Sequence, residues 1–308
     1  MTETIALPRP AGYSLAAASR FVMAFPAGEG GDDTGRLDLA FALDRTWRPV
    51  AVRVSQREDA LEAEVVHDPS GAGVQAIRHD LVRILNLDVL DDPFAEIGAR
   101  DPLIAQLRTR YPGLRPVQFP TPWEAAAWTI IGRRIRMTQA AAIKRRIAEQ
   151  HGERFRFPDG GELAAFPGPE AILSAETLPG LTGQKLGALH LVAEAAASGS
   201  LDSDRLAAAP VAEALESLQT IPGIGPFSAE LILVRGVRQS DVLPAHEPRL
   251  ARAMATLYGT DDPAEHARIA EAWRPYRSWV SFLLRRWLED ETGEIARGRP
   301  APSPDRTA

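Results

Sequence analysis

Cysteine is absent from all 308 residues, which excludes disulfides, thiolate zinc sites, iron-sulfur clusters and cysteine nucleophiles together. Also missing is any run of 18 or more apolar residues able to span a bilayer, and the N-terminus lacks the basic start, apolar centre and small-residue cleavage site of a signal peptide. A soluble, cytoplasmic protein that stays off membranes is the expectation. A positive overall balance is lacking too: the formal charge is -6, which argues against a generic basic nucleic-acid binder. The sum hides a local excess, because residues 101–157 hold 11 Arg or Lys against 4 acids while the first hundred residues are net acidic.

What is present is a 45% hydrophobic chain, enough for a sizeable core. Short alternating apolar runs, RLDLAFAL (36–43), PVAVRVS (49–55) and ALEAEVV (60–66), read as strands of an antiparallel sheet. Val74, Ile77, Leu81, Ile84 and Leu85 then recur at helical spacing, so a helix is expected to pack on that sheet. From Asp101 onward the period is helical almost throughout, with Gly or Pro breaks, which predicts about seven to nine helices joined by tight turns. The stretch PWEAAAWTIIGRRIRMTQAAAIKRRIAEQ reads as one helical segment. The expected class is α+β, with a domain of antiparallel sheet and helix over 1–112, an all-α domain over 113–292, and a Pro- and Arg-rich tail over 293–308 expected to be disordered. No internal repeat stands out beyond two similar turns, LPGLTGQK (178–185) and IPGIGPFS (221–228).

The second turn carries chemistry. Pro222 and Gly223 take the chain out of one helix, Gly225 lets backbone approach a ligand without a Cβ in the way, and Pro226 suits the first turn of the next helix. Exposed amides at a helix N-terminus form an anion site, which a DNA phosphate fits. An ordinary helix-helix turn is the bland alternative; a dinucleotide loop is a weaker one, because its third glycine and preceding strand are missing.

IPGIGPFSAE followed by SDVLPAHEPRLARA (240–253) resembles the helix-hairpin-helix, Gly-Pro-rich, aspartate signature of base-excision glycosylases. LNLDVLDDPFAEIGARDPLIAQL (86–107), YPGLRPVQFPTPWEAAAWTIIGRRI (111–135) and WRPYRSWVSFLL (273–284) resemble segments of the DNA-3-methyladenine glycosylase II subfamily, so that the likeness covers roughly three quarters of the chain. It implies an N-terminal sheet domain similar to the TATA-binding protein, followed by an all-α helix-hairpin-helix glycosylase domain. The activity it implies is monofunctional hydrolysis of the bond between alkylated purines and deoxyribose in duplex DNA, by a monomer that flips the base. No organic cofactor or structural metal is implied; a monovalent cation on the hairpin's backbone carbonyls is the one ligand the resemblance allows.

Breaking an N-glycosidic bond passes through a sugar cation, so a carboxylate is needed near the anomeric carbon. Glu247 stands where the family has its catalytic aspartate, with His246 before it and Pro248 after; the same residue would also serve as a helix cap. Asp241 reads as a turn or capping residue, and His246 as a solvated or capping side chain with no second ligand at metal spacing. By the same resemblance Ile221, Pro222, Gly223, Ile224, Gly225 and Ser228 form the strand anchor, and Arg133 and Arg134 replace the usual glutamine and leucine-like wedge. By the resemblance the base pocket draws on Phe227 and Leu231, with Trp128 or Trp273, both of which read equally as core, to compensate for Arg285, which takes the place of a stacking Trp two residues before Trp287. Arg274, Arg277 and Arg286 are candidates for the DNA backbone. Relatives that also cut the strand place a lysine just after the hairpin; here Phe227 stands there and the nearest lysine is Lys185. Two rivals remain at this stage: a non-catalytic, lesion- or structure-sensing DNA-binding protein on the same scaffold, and a helical scaffold unrelated to DNA.

Overall fold

Alternation of apolar and polar side chains builds the N-terminal sheet. In the computed structural model, which describes residues 3–24, 35–58 and 60–295, β1 (Glu3–Leu7), β2 (Arg36–Ala42), β3 (Pro49–Gln56) and β4 (Leu61–His67) form an antiparallel sheet of order β1-β4-β3-β2. Val50, Val52 and Val54 of β3 point to one face, as a period of two dictates. There they share a core with Leu15 and Val22 of α1 (Leu15–Ala24) and Ile77, Leu81 and Ile84 of α2 (Val74–Leu85). Three strands and α2 lie where the sequence pattern puts them; β1 and α1 were not foreseen.

The other face of the sheet is covered from an unexpected quarter. Ala51 packs against Phe155, Phe157 and Ala165, which belong to a two-stranded hairpin, β5 (Arg154–Arg156) and β6 (Glu162–Ala164). Asp159 in its turn pairs with Arg53 of β3 at 3.0 Å and with Arg36 at 2.6 Å. The segment 113–292 is therefore not all-α as expected: it lends the sheet a lid that three-residue strands could not sustain alone.

The boundary expected at residue 112 also cuts through a single core. In α3 (Pro93–Arg100) and α4 (Pro102–Arg110), Phe94, Ile97, Ile104 and Leu107 pack with Leu250, Met254, Leu283 and Leu284 of α12 (Pro248–Tyr258) and α14 (Arg277–Thr292). These two helices thus stack on the C-terminal helices, and arginines stitch the parts together. Arg83 of α2 donates to the carbonyl of Gly236 at 2.9 Å and to Pro120, and Arg115 donates to Asn86 at 3.2 Å and to Asp91 at 2.9 Å.

At the centre of the helical part lies α5 (Pro122–Ile131), buried on every side. The continuous helix expected over 122–150 is broken at Gly132–Arg136 before α6 (Met137–His151) begins, and Arg134 sits there in the left-handed region at φ 54°. Around α5 are α7 (Pro169–Leu173), α8 (Gly183–Ala197), α9 (Ser203–Ala208), α10 (Val211–Gln219) and α11 (Pro226–Ile232), and α13 (Pro263–Ala270) joins α12 to a 3-10 turn before α14. The helix α11 continues into a π-type segment, Leu233–Val237, in which a Cβ on Gly236 would come within 2.9 Å of Pro122. Glycine is what lets it press against α5. Of the tail expected to be disordered, Gly293–Ile295 are described and held, Glu294 pairing with Arg252 and Arg249; residues 296–308 lie outside the described residues.

Candidate active site

The turn between α10 and α11 is built from the inside. The side chains of Ile221 and Ile224 are buried in the helical core, so neither is available to a ligand. Their burial fixes the loop, which closes with Ile224 N–H donating to the Ile221 carbonyl at 2.9 Å. Gly223 takes φ 97°, which only glycine adopts without strain, and Pro222, Gly223, Gly225 and Pro226 face solvent. A Cβ on Gly225 would meet no protein atom within 4 Å, so nothing inside the chain explains that glycine. Ser228, grouped with the strand anchor on sequence grounds, is instead buried on the wall of the cavity behind the loop.

That cavity, of about 490 Å³, gathers residues from segments far apart in sequence. Phe227 and Leu231 of α11 and Trp128 of α5, three of the residues grouped on sequence grounds, line it together. Phe227 is exposed at 39%, unusual for a phenylalanine, whereas Trp128 is edged into the core. Arg133 and Arg134 form the rim between α5 and α6, and Arg133 also lies against the hairpin, its guanidinium within 3.3 Å of where a Gly223 Cβ would be. The ammonium of Lys185 donates to the Ile131 carbonyl at 2.8 Å and does not line the cavity.

Glu247 sits on the cavity wall, 6% exposed. It is the N-cap of α12, its Oε1 accepting from the Arg249 N–H at 3.1 Å, so the capping role and the placement expected of a catalytic carboxylate coexist. Its Oε2 lies 3.4 Å from Nε of Arg285. The turn that delivers it is held by a residue the sequence did not flag: buried Glu230 of α11 accepts from the His246 N–H at 2.9 Å and meets His246 Nδ1 at 2.7 Å. His246 is thus a partner of Glu230 and part of the frame behind Glu247.

Arg235 and Arg249 also line the cavity and were missed, since an arginine on an apolar helix reads as solvated surface. Arg235 is buried, donates to the Val117 carbonyl at 2.7 Å, and lies over the rings of Phe21, Phe119 and Phe282. Burial, and then the like charge of Arg285, pull its pKa down to about 9. The same two causes in the same order lower that of Arg249. Glu247 opposes both shifts.

Several expectations fail here. Trp273 is fully buried in the core between α3, α4, α12 and α14, its Nε1 donating to Asp101 at 2.9 Å, and does not reach the pocket. Trp287 packs on that same core. Arg274 and Arg277 are tied to Asp241 at 2.6 and 2.8 Å, and Arg286 to Asp290 at 2.7 Å, so these three are clamped by carboxylates. Asp241 anchors arginines instead of merely capping a turn.

No protein-family profile matches the chain. It is 27% identical over 222 residues to the DNA-3-methyladenine glycosylase of Bacillus subtilis (strain 168), spanning 68% of this chain and 73% of that one. It is 29% identical over 191 residues to DNA-3-methyladenine glycosylase 2 of Escherichia coli (strain K12), spanning 61% and 64%. The fold superposes on the 3-methyladenine DNA-glycosylase of Archaeoglobus fulgidus with a TM-score of 0.75 at 24% identity, over 94% of this chain and 99% of that one. The likeness read from the hairpin and its flanking segments is therefore present along the chain and in three dimensions.

Proposed function

We propose that this protein, similar in sequence and fold to the DNA-3-methyladenine glycosylases, is a base-excision repair glycosylase that removes alkylated purines from duplex DNA by hydrolysis. The observation that carries this reading is the convergence of Glu247, the aromatic Phe227 and the hairpin glycine Gly225 on one cavity beside an exposed loop. The likeness to those enzymes gives each its role.

In this reading the amides around Gly223 and Gly225 receive a strand phosphate, a monovalent cation on the loop carbonyls adding to the anchor, and Arg134 enters the gap that the flipped nucleotide leaves. The base stacks against Phe227 and Trp128. The bond from C1′ to the purine N9 breaks with its electron pair going to the base, and Glu247 faces the positive charge left on the sugar. A water then adds to C1′ and gives up one proton, through the carboxylate, to solvent or to the departed base. The product is free base and an intact abasic site, made by a single copy of the chain. Borohydride treatment of the protein with a duplex bearing one methylated purine tests this: base release without a trapped adduct is expected. A stable adduct, with strand cleavage before alkali, would mean that an amine attacks the sugar and that the hydrolytic reading is wrong.

A further inference from the structure

Among the described residues, the wall of the cavity holds five arginines, Arg133, Arg134, Arg235, Arg249 and Arg285, against the single carboxylate of Glu247. Arg235 and Arg249 both feel the favourable charge of Glu247 and the like charge of Arg285. Arg285 itself presents a buried Nε with no hydrogen-bond partner, 3.4 Å from Glu247. Among the described residues the aromatic rings lining the cavity are Phe227, Trp128 and Phe119, and the Phe119 ring is already covered by the Arg235 guanidinium. Aromatic faces attract cations; a ring of guanidinium groups repels them and seeks acceptors.

We propose that, among the purine lesions this site accepts, the pocket favours neutral ones with an acceptor-bearing edge over cationic ones, and that Arg285 is the residue that sets the ratio. The inference rests on the reading of the cavity as a base pocket. A purine alkylated at N7 carries a formal positive charge and has lost an acceptor. A deaminated purine is neutral and keeps both O6 and N7, the pair that an arginine fork engages. Bond cleavage supplies a second reason. A cationic base leaves as a neutral molecule and needs no help, whereas a neutral base leaves as an anion, holding the C1′–N9 electron pair until it takes up the proton released by the attacking water. Guanidinium groups stabilise that anion and have nothing comparable to offer the cation's departure. Undamaged guanine shares the acceptor edge, and the energy needed to extrude it from a sound pair keeps it out.

The experiment compares kcat/KM for base release from duplexes carrying either hypoxanthine or 7-methylguanine, in the native protein, Arg285→Met and Arg285→Lys. Binding of the same two bases on cleavage-resistant 2′-fluoroarabino sugars is measured in parallel. The native protein is expected to favour the neutral base by on the order of tenfold or more, Arg285→Met to cut that ratio by on the order of tenfold, and Arg285→Lys to keep most of it. A role for Arg285 in holding Glu247 alone would lower both substrates alike and leave the ratio unmoved, which overturns the proposal, as does a native preference for 7-methylguanine in both readouts. If neither base is released yet binding shows the ratio and its loss in Arg285→Met, the selector stands and the hydrolase reading falls.

Discussion

Replacing Glu247 by Gln separates its helix cap from its proposed catalytic charge, because the amide oxygen of Gln can still accept from the Arg249 N–H while the charge is gone. A carboxylate about 3.5 Å from a unit of positive charge contributes about 5 kcal/mol at an effective dielectric of about 20. Part of that is spent on Arg285, already 3.4 Å away in the resting site. What remains for a sugar cation is about 3–4 kcal/mol, a loss of about 10²–10³ in rate. The assay is single-turnover release of base from a one-lesion duplex under excess protein, read as alkali-sensitive abasic sites, so that binding and product release do not enter. Stability is measured on the same variant, since leaving Arg285 without its counter-charge costs about 1–3 kcal/mol, below the range for a fully buried pair because Arg285 retains some solvent contact. Glu247→Asp keeps both charge and cap but withdraws the carboxylate by about 1 Å, and is expected to release base more slowly than the native protein and faster than Glu247→Gln. A folded Glu247→Gln protein releasing base within about threefold of the native rate would reduce Glu247 to a helix cap and refute the reasoning.

Other outcomes follow from particular contacts. Gly225→Asp, at a position with φ −94° and open space around its Cβ, is expected to leave the melting temperature unchanged and weaken duplex binding by about tenfold or more at moderate salt; equal affinity would remove the hairpin from the interface. Arg134→Ala should slow excision from paired lesions more than from lesions opposite a mismatch, where unstacking is cheaper; equal losses would restrict Arg134 to phosphate contact. Trp273→Phe deletes the donor to Asp101 and is expected to cost about 1–3 kcal/mol in denaturant unfolding while leaving substrate ratios untouched; a changed ratio with unchanged stability would return Trp273 to the pocket. The pKa of His79 is raised, chiefly by its hydrogen bond to Asp80. Its contribution is therefore complete below the ordinary histidine pKa and lost as pH rises through the raised value. Since the ring is half exposed, His79→Gln should lower stability by at most about 0.5 kcal/mol in acid and by progressively less as pH rises through the raised value; a deficit that grows with pH would show the sign is wrong.

Much of the scaffold was written locally. The strands β2, β3 and β4 and the helix α2 are legible because each has one buried and one solvated face, and that asymmetry leaves a period in the sequence. The hairpin is legible because left-handed backbone at residue 223 demands glycine and a helix start welcomes Pro226, constraints that act within a few residues. Where tertiary contact supplied the stability, the sequence was mute. The hairpin of β5 and β6 exists as a cover for the sheet's second face, about a hundred residues earlier in the chain, and no local pattern announces a partner so distant. Periodicity says that a face is buried and not against what, so the boundary expected at 112 left α3 and α4 on the sheet's side although they pack on α12 and α14.

The site divides along the same line. Sequence alone determined that Glu247 would cap a helix behind a proline, that a glycine loop would precede the helix bearing Phe227, and that arginine would replace the expected aromatic at 285. Only the tertiary structure decided which of the two candidate tryptophans faces the cavity. Trp128 and Trp273 are both large, apolar and buried, and one-dimensional pattern cannot tell a core from a pocket wall; the choice fell to Asp101, 172 residues from Trp273, which claims its indole N–H. The fold likewise brought Arg235, Arg249 and Arg285 around one carboxylate. Charges in three separate helical segments interact through space, and nothing in the spacing of 235, 249 and 285 along the chain records that they meet.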